Sequence, residues 1–530
     1  MRVLKSSTNQ AFELGKYAIE FMASKQKIDP KVLERVKLFH TDAVVCGISS
    51  LALKTNAPTL LRKEALEYYK TNSKFKSKVF GSSEWVHVEK AIVANNSAVR
   101  EWDSNGTVFG YDKEKLSRQA GEFGHNDFYS IALAASHFNN NLSGYDVLKG
   151  MLLSDEIRGR LAEVFSLKTY KIDHVVHGAI ATAATYGAMI GATPQQIESA
   201  IGMVVAHYIP YRAIRAGKQL SDSKGSSAAL SSEVAVMSVR RAMMGFIGPA
   251  DIFRNPEAIF RYNIKTDGSS PFDITLGFDG SDFAVNGMHF KLGLYEHQSA
   301  GAIQGLLQLL RENPELYTEG IDKIKSIKVI AYEPCFGIIG DPAKRTPKTR
   351  QSADHSMVFI LSRLVKKAME KKDEILKLKN DPYNFWNKLM LTPLDYSYSA
   401  LNCEVTKKIM EKINFTHGGP EFDKKYPEGI PTQVDILGEK GSYSSGLVMF
   451  PPGHSGNKVH DLKGSLEHKS QLYLDFLQTD KKEANNFLEK LNKLETLNNK
   501  DLENLYDVKL NYSKVSIDEK DFDLKVYKLH

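Results

Sequence analysis

Apolar residues recur at helical spacing through most of the first 270 positions. Phe12 to Met22 reads as a helix, and Leu33 to Leu53 is an apolar segment in which Ala43, Gly47, Ser49 and Ser50 are small enough for close helix packing. Thr193-Pro194-Gln195-Gln196 carries three helix-start signals: Thr193 as N-cap, Pro194 at the first helical position, and Gln196 completing a capping box. Ile197, Ala200, Ile201, Val204, Val205 and Tyr208 then mark one helix face. Ala228 to Met244 predicts another helix, ended by Gly245 and Gly248-Pro249.

The pattern changes near residue 275. Ile327, Val329 and Ala331 alternate with Lys328 and Ile330, as in a half-buried strand. Val434 and Ile436 alternate too. The turn Gly438-Glu439-Lys440-Gly441 leads to a second run ending in Leu447-Val448-Met449-Phe450, which predicts a hairpin. Met357 to Met369 and Val405 to Ile413 read as helices between these strands. From about 457 the chain turns helical again, with Ala484, Phe487, Leu488, Leu491 and Leu494 on one face. This order predicts a mainly α protein: a helical domain over 1–275, a smaller α+β domain over 276–456, and a C-terminal segment, 457–530, returning to the first.

Composition narrows the function. With 42% hydrophobic and 25% charged residues the chain is an ordinary globular mixture, and no apolar run approaches the length of a membrane span. The net charge of +7 suits a handler of acidic metabolites or a plain Lys-rich surface. No basic block with interleaved aromatics suggests nucleic-acid binding. Cys46, Cys335 and Cys403 are scattered, which argues against a disulfide framework, an iron–sulfur cluster or zinc. No metal or other cofactor is expected. A cytoplasmic location is expected; Arg2 and Lys5, with no acid in residues 1–12, are also compatible with a mitochondrial presequence and the matrix.

Several clusters have both a chemical and a plain structural reading. Arg100-Glu101-Trp102-Asp103-Ser104-Asn105-Gly106-Thr107 and Gly121-Glu122-Phe123-Gly124-His125-Asn126-Asp127 are polar loops between helical stretches. Asp103 and His125 fit an orienter–base pair, or simply caps and turns. Tyr211-Arg212-Ala213-Ile214-Arg215-Ala216-Gly217-Lys218, then Ser223-Lys224-Gly225-Ser226-Ser227, place cations at a helix head, where carboxylates bind. His289-Phe290-Lys291 and Tyr295-Glu296-His297-Gln298 lie where the composition changes, the edge a two-domain site would use. His174 and His177 have a metal-ligand spacing, but no further ligand completes the set. Thr349-Arg350-Gln351-Ser352-Ala353-Asp354-His355-Ser356 reads as a helix start with a charged cap. P-loop, dinucleotide and nucleophile-elbow strings do not occur.

Taken together these strings resemble the MmgE/PrpD family. Lys348-Thr349-Arg350 through Ala353-Asp354-His355-Ser356 is similar to its "KTRETADHS" string, and Phe290-Lys291 with Glu296-His297-Gln298-Ser299-Ala300 to its "FK…EYHAQSA" segment. Lys224-Gly225 with Gly248-Pro249-Ala250 is similar to "KG…GMTGPA", and Pro452-Gly453-His454 with Asn457 to "KGHPRN". The matches run in family order from about 30 to 460. The resemblance implies a large all-helical domain formed by both chain ends, an inserted α+β lid, and a homodimer. It also implies a metal-independent hydro-lyase that takes water from a small tricarboxylate, 2-methylcitrate, to give 2-methylaconitate. The implied catalytic set is Asp103, His125, His174, Lys224 and Lys291, with Arg212, His297, Tyr332 and Arg350 binding substrate. Two features depart from the family pattern: the stretch from Thr107 to His125 is longer than in many members, and Glu122 to Asp127 replaces an "HPSDN"-like string. The rival within the family is cis-aconitate decarboxylation. The rival from another class is a catalytically silent helical interaction protein, against which the intact Asp103, His125, Lys224 and Lys291 argue.

Overall fold

The computed structural model describes residues 1–69, 72–107, 125–214, 219–478, 480–511, 513 and 517. Helices dominate and the sheets are small, as the mainly α expectation requires. The helix Pro30–Ala52 begins on Asp29, whose carboxylate accepts the Lys31 N–H at 2.9 Å, and it is buried without interruption from Phe39 to Ala52. Gly47 lets Phe80 and Val99 pack on its backbone; a Cβ there would meet the Phe80 ring at 2.9 Å. The capping box at Thr193 is formed, with reciprocal Thr193–Gln196 bonds of 3.2 and 2.8 Å opening the helix Pro194–His207. Ile197, Ala200, Ile201, Val204 and Val205 are its buried face, while Tyr208 is the half-buried cap.

The helix expected from Ala228 starts a turn and a half earlier and runs Asp222–Met243. Its polar first turn, Asp222-Ser223-Lys224, masked the start in the sequence. Small residues let it lie along Val88–Arg100, where the Asn96 amide donates to Ser232 Oγ at 3.0 Å and Ser97 meets Ser226 at 3.2 Å.

Beyond residue 275 a four-stranded sheet has the order Ile413–His417, Ile324–Ala331, Thr432–Gly438, Ser442–Ser444. The first pair is parallel, with Val329 opposite Phe415; the others are antiparallel, with Val329 opposite Val434. Two expectations change here. The helix read over 405–413 ends at Met410, and Ile413 opens a strand whose five residues are too short to outweigh the apolar run before them. The hairpin returns on Ser442–Ser444, not on the run ending at Phe450. Gly446 turns the chain at φ +64°, after which only Val448 bridges Thr432. The helix Ala300–Glu312 covers the sheet through Gly301 and Gly305, where Cβ atoms would meet Thr432 at 2.6 Å and Val434 at 3.0 Å.

Two long-range contacts join the ends to the rest. The strand Arg2–Leu4 pairs antiparallel with Ile274–Leu276, so the segment carrying Arg2 is part of the fold, and Lys5 meets Asp273 at 2.9 Å. The helices Leu462–Leu474 and Lys481–Asn492 pack on Pro30–Ala52. A single apolar core is continuous from these helices to the sheet.

The loop before the helix Leu462–Leu474 docks on the segment around Lys291 through a backbone contact that tolerates no side chain. Gly453 has φ +88°, its carbonyl accepts the Phe290 N–H at 2.9 Å, and a Cβ would lie 2.3 Å from the Phe290 carbonyl oxygen. Gly453→Ala is expected to cost about 1–3 kcal/mol, read as a lower denaturation midpoint. An unchanged midpoint would show that the loop does not bear on stability.

Candidate active site

Three separate stretches of backbone are stitched together before any site chemistry begins. Thr107 and His289 exchange N–H to carbonyl bonds of 3.0 and 2.8 Å; the Tyr295 N–H donates to the Asp103 carbonyl at 3.0 Å, and the Glu296 N–H to the Asp354 carbonyl at 2.9 Å. Ser104 Oγ donates to the Gly293 carbonyl at 2.8 Å. The Lys469 ammonium, from the helix Leu462–Leu474, is fully buried. It donates to the Ser104 carbonyl at 2.6 Å, the Lys291 carbonyl at 3.0 Å and the Asp42 carboxylate at 2.6 Å. The helix Val88–Arg100 ends at Arg100, and Lys224 stands in the first turn of Asp222–Met243.

These elements converge on Asp103, which is 2% exposed. Its carboxylate is bonded by Lys291, lies 3.4 Å from Arg100 and 3.6 Å from Lys224, and is 3.0 Å from His355 Nε2. Burial opposes its ionisation, but Arg100, Lys291 and Lys224 hold its pKa well below the usual carboxylate range. Asp354, also buried, lies 3.3 Å from Lys224 and 2.6 Å from His355 Nδ1, and against the cost of burial Lys224 and His355 hold it low as well. Burial and Lys224 push His355 down to about 4, so the ring is neutral at pH 7.

The cluster opens on a cavity of about 80 Å³. Six cationic side chains line it: Arg100, Lys168, Arg212, Lys224, Lys291 and Lys344. Asp103, Glu296, His174, His297, Gln298 and His355 add polar groups, and Leu220 and Ile338 complete the lining. Burial and the Asp103 charge push the Glu296 carboxyl up to about 7. Its Oε2 accepts the Gln298 N–H at 2.7 Å. Burial, then the Lys291 charge, keeps His297 neutral, in a ring stack with His289 (5.0 Å) that continues to His454 (4.0 Å).

The structure therefore brings together Asp103, His174, Lys224, Lys291, Arg212 and His297 of the residues singled out in the sequence. Two others lie away from the cavity lining. Arg350 bonds Glu101 and lies over the Trp102 ring at 4.8 Å. Tyr332 is buried and stacked on Tyr426 at 4.5 Å. Arg350 is marked by a string match and Tyr332 by the implied lid position alone, and neither gives a side chain's direction. The backbone of His125 begins the short helix His125–Phe128; its side chain, residues 108–124, Arg215 and Lys218 lie outside the described residues. Sequence reading did not assign roles to Arg100, Glu296, Asp354 or His355, although each stood inside a quoted string. Lys168 and Lys344 had no motif to mark them.

Asp103, Asp354 and His355 present ligand atoms within 4.8 Å of one another, a spacing a cation could use. Their two carboxylates already face Arg100, Lys224 and Lys291, so a divalent ion would meet three fixed positive charges at short range. The donor set fits internal ion pairing better than metal binding.

The MmgE/PrpD N-terminal domain family matches residues 13–269, which contain Arg100, Asp103, His174, Arg212 and Lys224. The chain carries an MmgE/PrpD N-terminal domain over these residues. Over 206 residues it is also 25% identical to the alkylcitrate dehydratase phiI of a fungal species (strain ATCC 74256). That match covers 38% of this chain and 40% of the fungal protein.

The buried Lys469–Asp42 pair carries a stability prediction. Lys469→Met strands the Asp42 carboxylate and releases two carbonyls, at an expected cost of about 3–5 kcal/mol in chemical denaturation. Pairing it with Asp42→Leu should recover much of that loss. Simple additivity of the two single costs would show that the ion pair does not couple the elements.

Proposed function

We propose that this MmgE/PrpD chain is a dehydratase of citrate-type tricarboxylic acids, with 2-methylcitrate as substrate. The observation that carries this reading is one small cavity in which six cations surround three acid–base groups with different proton affinities. Polyanions need the cations. Removal of a weakly acidic C–H proton with loss of hydroxide needs a base and an acid in the same space. The fungal relative's name points to the same reaction class. Leu220 and Ile338 are the apolar part of the lining and would take an alkyl substituent that plain citrate lacks. Leu220 is held in place by its N–H bond to Ser352 Oγ at 2.8 Å.

His355 is the base in this scheme. The 2.6 Å contact to Asp354 keeps the single ring proton on Nδ1, which leaves an electron pair on Nε2 facing Asp103 at 3.0 Å. That contact is repulsive and is offset by Lys224 and Lys291 on the same carboxylate. Substrate carboxylates compete for both lysines, which makes Nε2 more basic as the substrate binds. His355 takes the proton from the carbon beside a carboxylate. The C–H electron pair becomes the new C=C bond, the C–O bond breaks, and the hydroxyl leaves as water with the proton of Glu296. Charge developing on the substrate carboxylate is met by the cations of the lining.

Two measurements test the scheme. Purified protein incubated with 2-methylcitrate, citrate and cis-aconitate should show absorbance from an unsaturated acid with 2-methylcitrate in preference to citrate, and no CO₂ from cis-aconitate. CO₂ release would assign decarboxylation instead, and silence on all three would leave a non-catalytic role. For the dehydratase, kcat/KM should rise through about pH 4 as His355 loses its proton and fall above about pH 7 as Glu296 loses its own. Glu296→Gln should lose most turnover, about a hundredfold or more, together with the alkaline limb. An unchanged alkaline limb in that variant would remove Glu296 as the acid.

A further inference from the structure

His174 stands at the cavity as the N-cap of the helix Val175–Met189, and behind it lies a second buried charge. Arg158, in the helix Gly144–Val164, is 1% exposed and places Nη2 2.8 Å from His174 Nδ1. The guanidinium lies over the Phe128 ring, 4.7 Å from its centroid, and that ring is wedged against Gly178, where a Cβ would meet it at 2.2 Å. Arg158 thus lies between the His174 ring and the Phe128 ring.

The consequence is chemical. A guanidinium carries only N–H donors and does not deprotonate in proteins, so the histidine nitrogen that faces it must offer an electron pair. A neutral imidazole with a bare Nδ1 carries its proton on Nε2. A second proton on Nδ1 would set N–H against N–H at 2.8 Å. The remaining surroundings point the same way. Asp173 Oδ1 lies 3.8 Å from Nε2, on the side where a proton is favoured and beyond hydrogen-bond reach. Arg100, Lys168, Arg212, Lys224, Lys291 and Lys344 line the same cavity, and Asp103 and Glu296 are the carboxylates opposite, the first engaged by its own cations. His177, one turn on, is kept neutral by burial and Arg158. The positive end of the helix also disfavours an imidazolium at its cap.

We propose that Arg158 is a positioning residue that locks His174 as the neutral Nε2–H tautomer, so that His174 donates a hydrogen bond to a substrate oxygen and transfers no proton. Giving up the Nε2 proton would leave an imidazolate, and gaining one is blocked by Arg158. A neutral imidazole fixed near a helix N-terminus is a known way to polarise a substrate oxygen without exchanging protons. Only the identity of that oxygen rests on the dehydratase reading; the tautomer rests on Arg158 alone.

The test is ring-¹⁵N histidine NMR of the full chain, with His174→Gln to assign the resonance. The expected pattern is a neutral ring protonated at Nε2 and unchanged from about pH 5 to about pH 9. A ring protonated at Nδ1, or one that becomes imidazolium within that window, overturns the proposal without need of any variant. In Arg158→Met, with one repelling charge removed, the ring should take up a proton at higher pH than in the wild-type chain. If 2-methylcitrate is the substrate, kcat in that variant should fall about tenfold or more with KM nearly constant, with a new acid limb where the ring titrates. Arg158→Lys should hold the neutral ring and restore part of kcat. A merely structural Arg158 would lower stability and leave the tautomer and the pH profile as they were, which also overturns it. Absence of turnover by wild-type protein beside the expected NMR pattern would count against the dehydratase reading alone.

Discussion

A buried carboxylate, Asp103, is the counter-charge against which the cationic lining is assembled. Arg100, Lys224 and Lys291 are each at most 3% exposed along their side chains, and all three face it. Without that anion the three cations would repel one another where water cannot screen them, a loss that removing one partner of a buried pair sets at about 3–5 kcal/mol. The pairs hold the cavity together. For the polycarboxylate substrate proposed above, the cations would already be desolvated and aimed inward, so part of the cost of binding would have been met in folding.

That arrangement is imposed on a chain whose site residues are far apart in sequence. Asp103, Lys224, Lys291 and His355 meet because backbone groups of their segments are tied together, and Lys469 is the clearest instance. One buried ammonium satisfies the carbonyls on both sides of the Asp103–Lys291 contact, and Asp42 balances its charge from the helix Pro30–Ala52. The stacked rings of Phe39 and Phe290, 3.8 Å apart and 7° from parallel, brace the same junction, and Gly106 fits beneath Phe39 only because it has no side chain. The C-terminal helices therefore act on the site through backbone positions without adding a side chain to the cavity lining.

How legible this was in the sequence depended on the range of the signal. Local signals read well: the Thr193 capping box, the apolar face that follows it and the alternation at 327–331 all correspond to observed elements. Competing local signals read less well, as at 405–417, where a helical run hid the strand that follows it. In the site, motif strings marked Asp103, Lys224 and Lys291, which the fold does gather, but they also marked Arg350, which turns to Glu101. Glu296 carries no role in the sequence reading, and its carboxylate caps the short helix after it by holding the Gln298 N–H. Its raised proton affinity comes from burial and from Asp103, a neighbour 193 positions away, and no local pattern reports that. His355 depends in the same way on Asp103 and Lys224, together with its own neighbour Asp354.

Asp103 thus has two effects on proton affinity at once. Its cations keep it ionised, and its charge, added to burial, keeps a proton on Glu296 up to about pH 7. Environments that drive neighbouring acids apart in this way are what assign acid and base roles in one cavity. A bound tricarboxylate would extend the effect, since its negative potential raises the proton affinity of Glu296 and of His355 together. On the proposed reaction Glu296 would retain its proton until the hydroxyl departs. In the same scheme His355 would become basic enough to accept a proton from carbon, which an imidazole with a pKa of about 4 does poorly. On that proposal the charge recognised by the cations would also be the charge that readies the acid and the base, and a neutral compound of similar shape would lose both binding and reactivity.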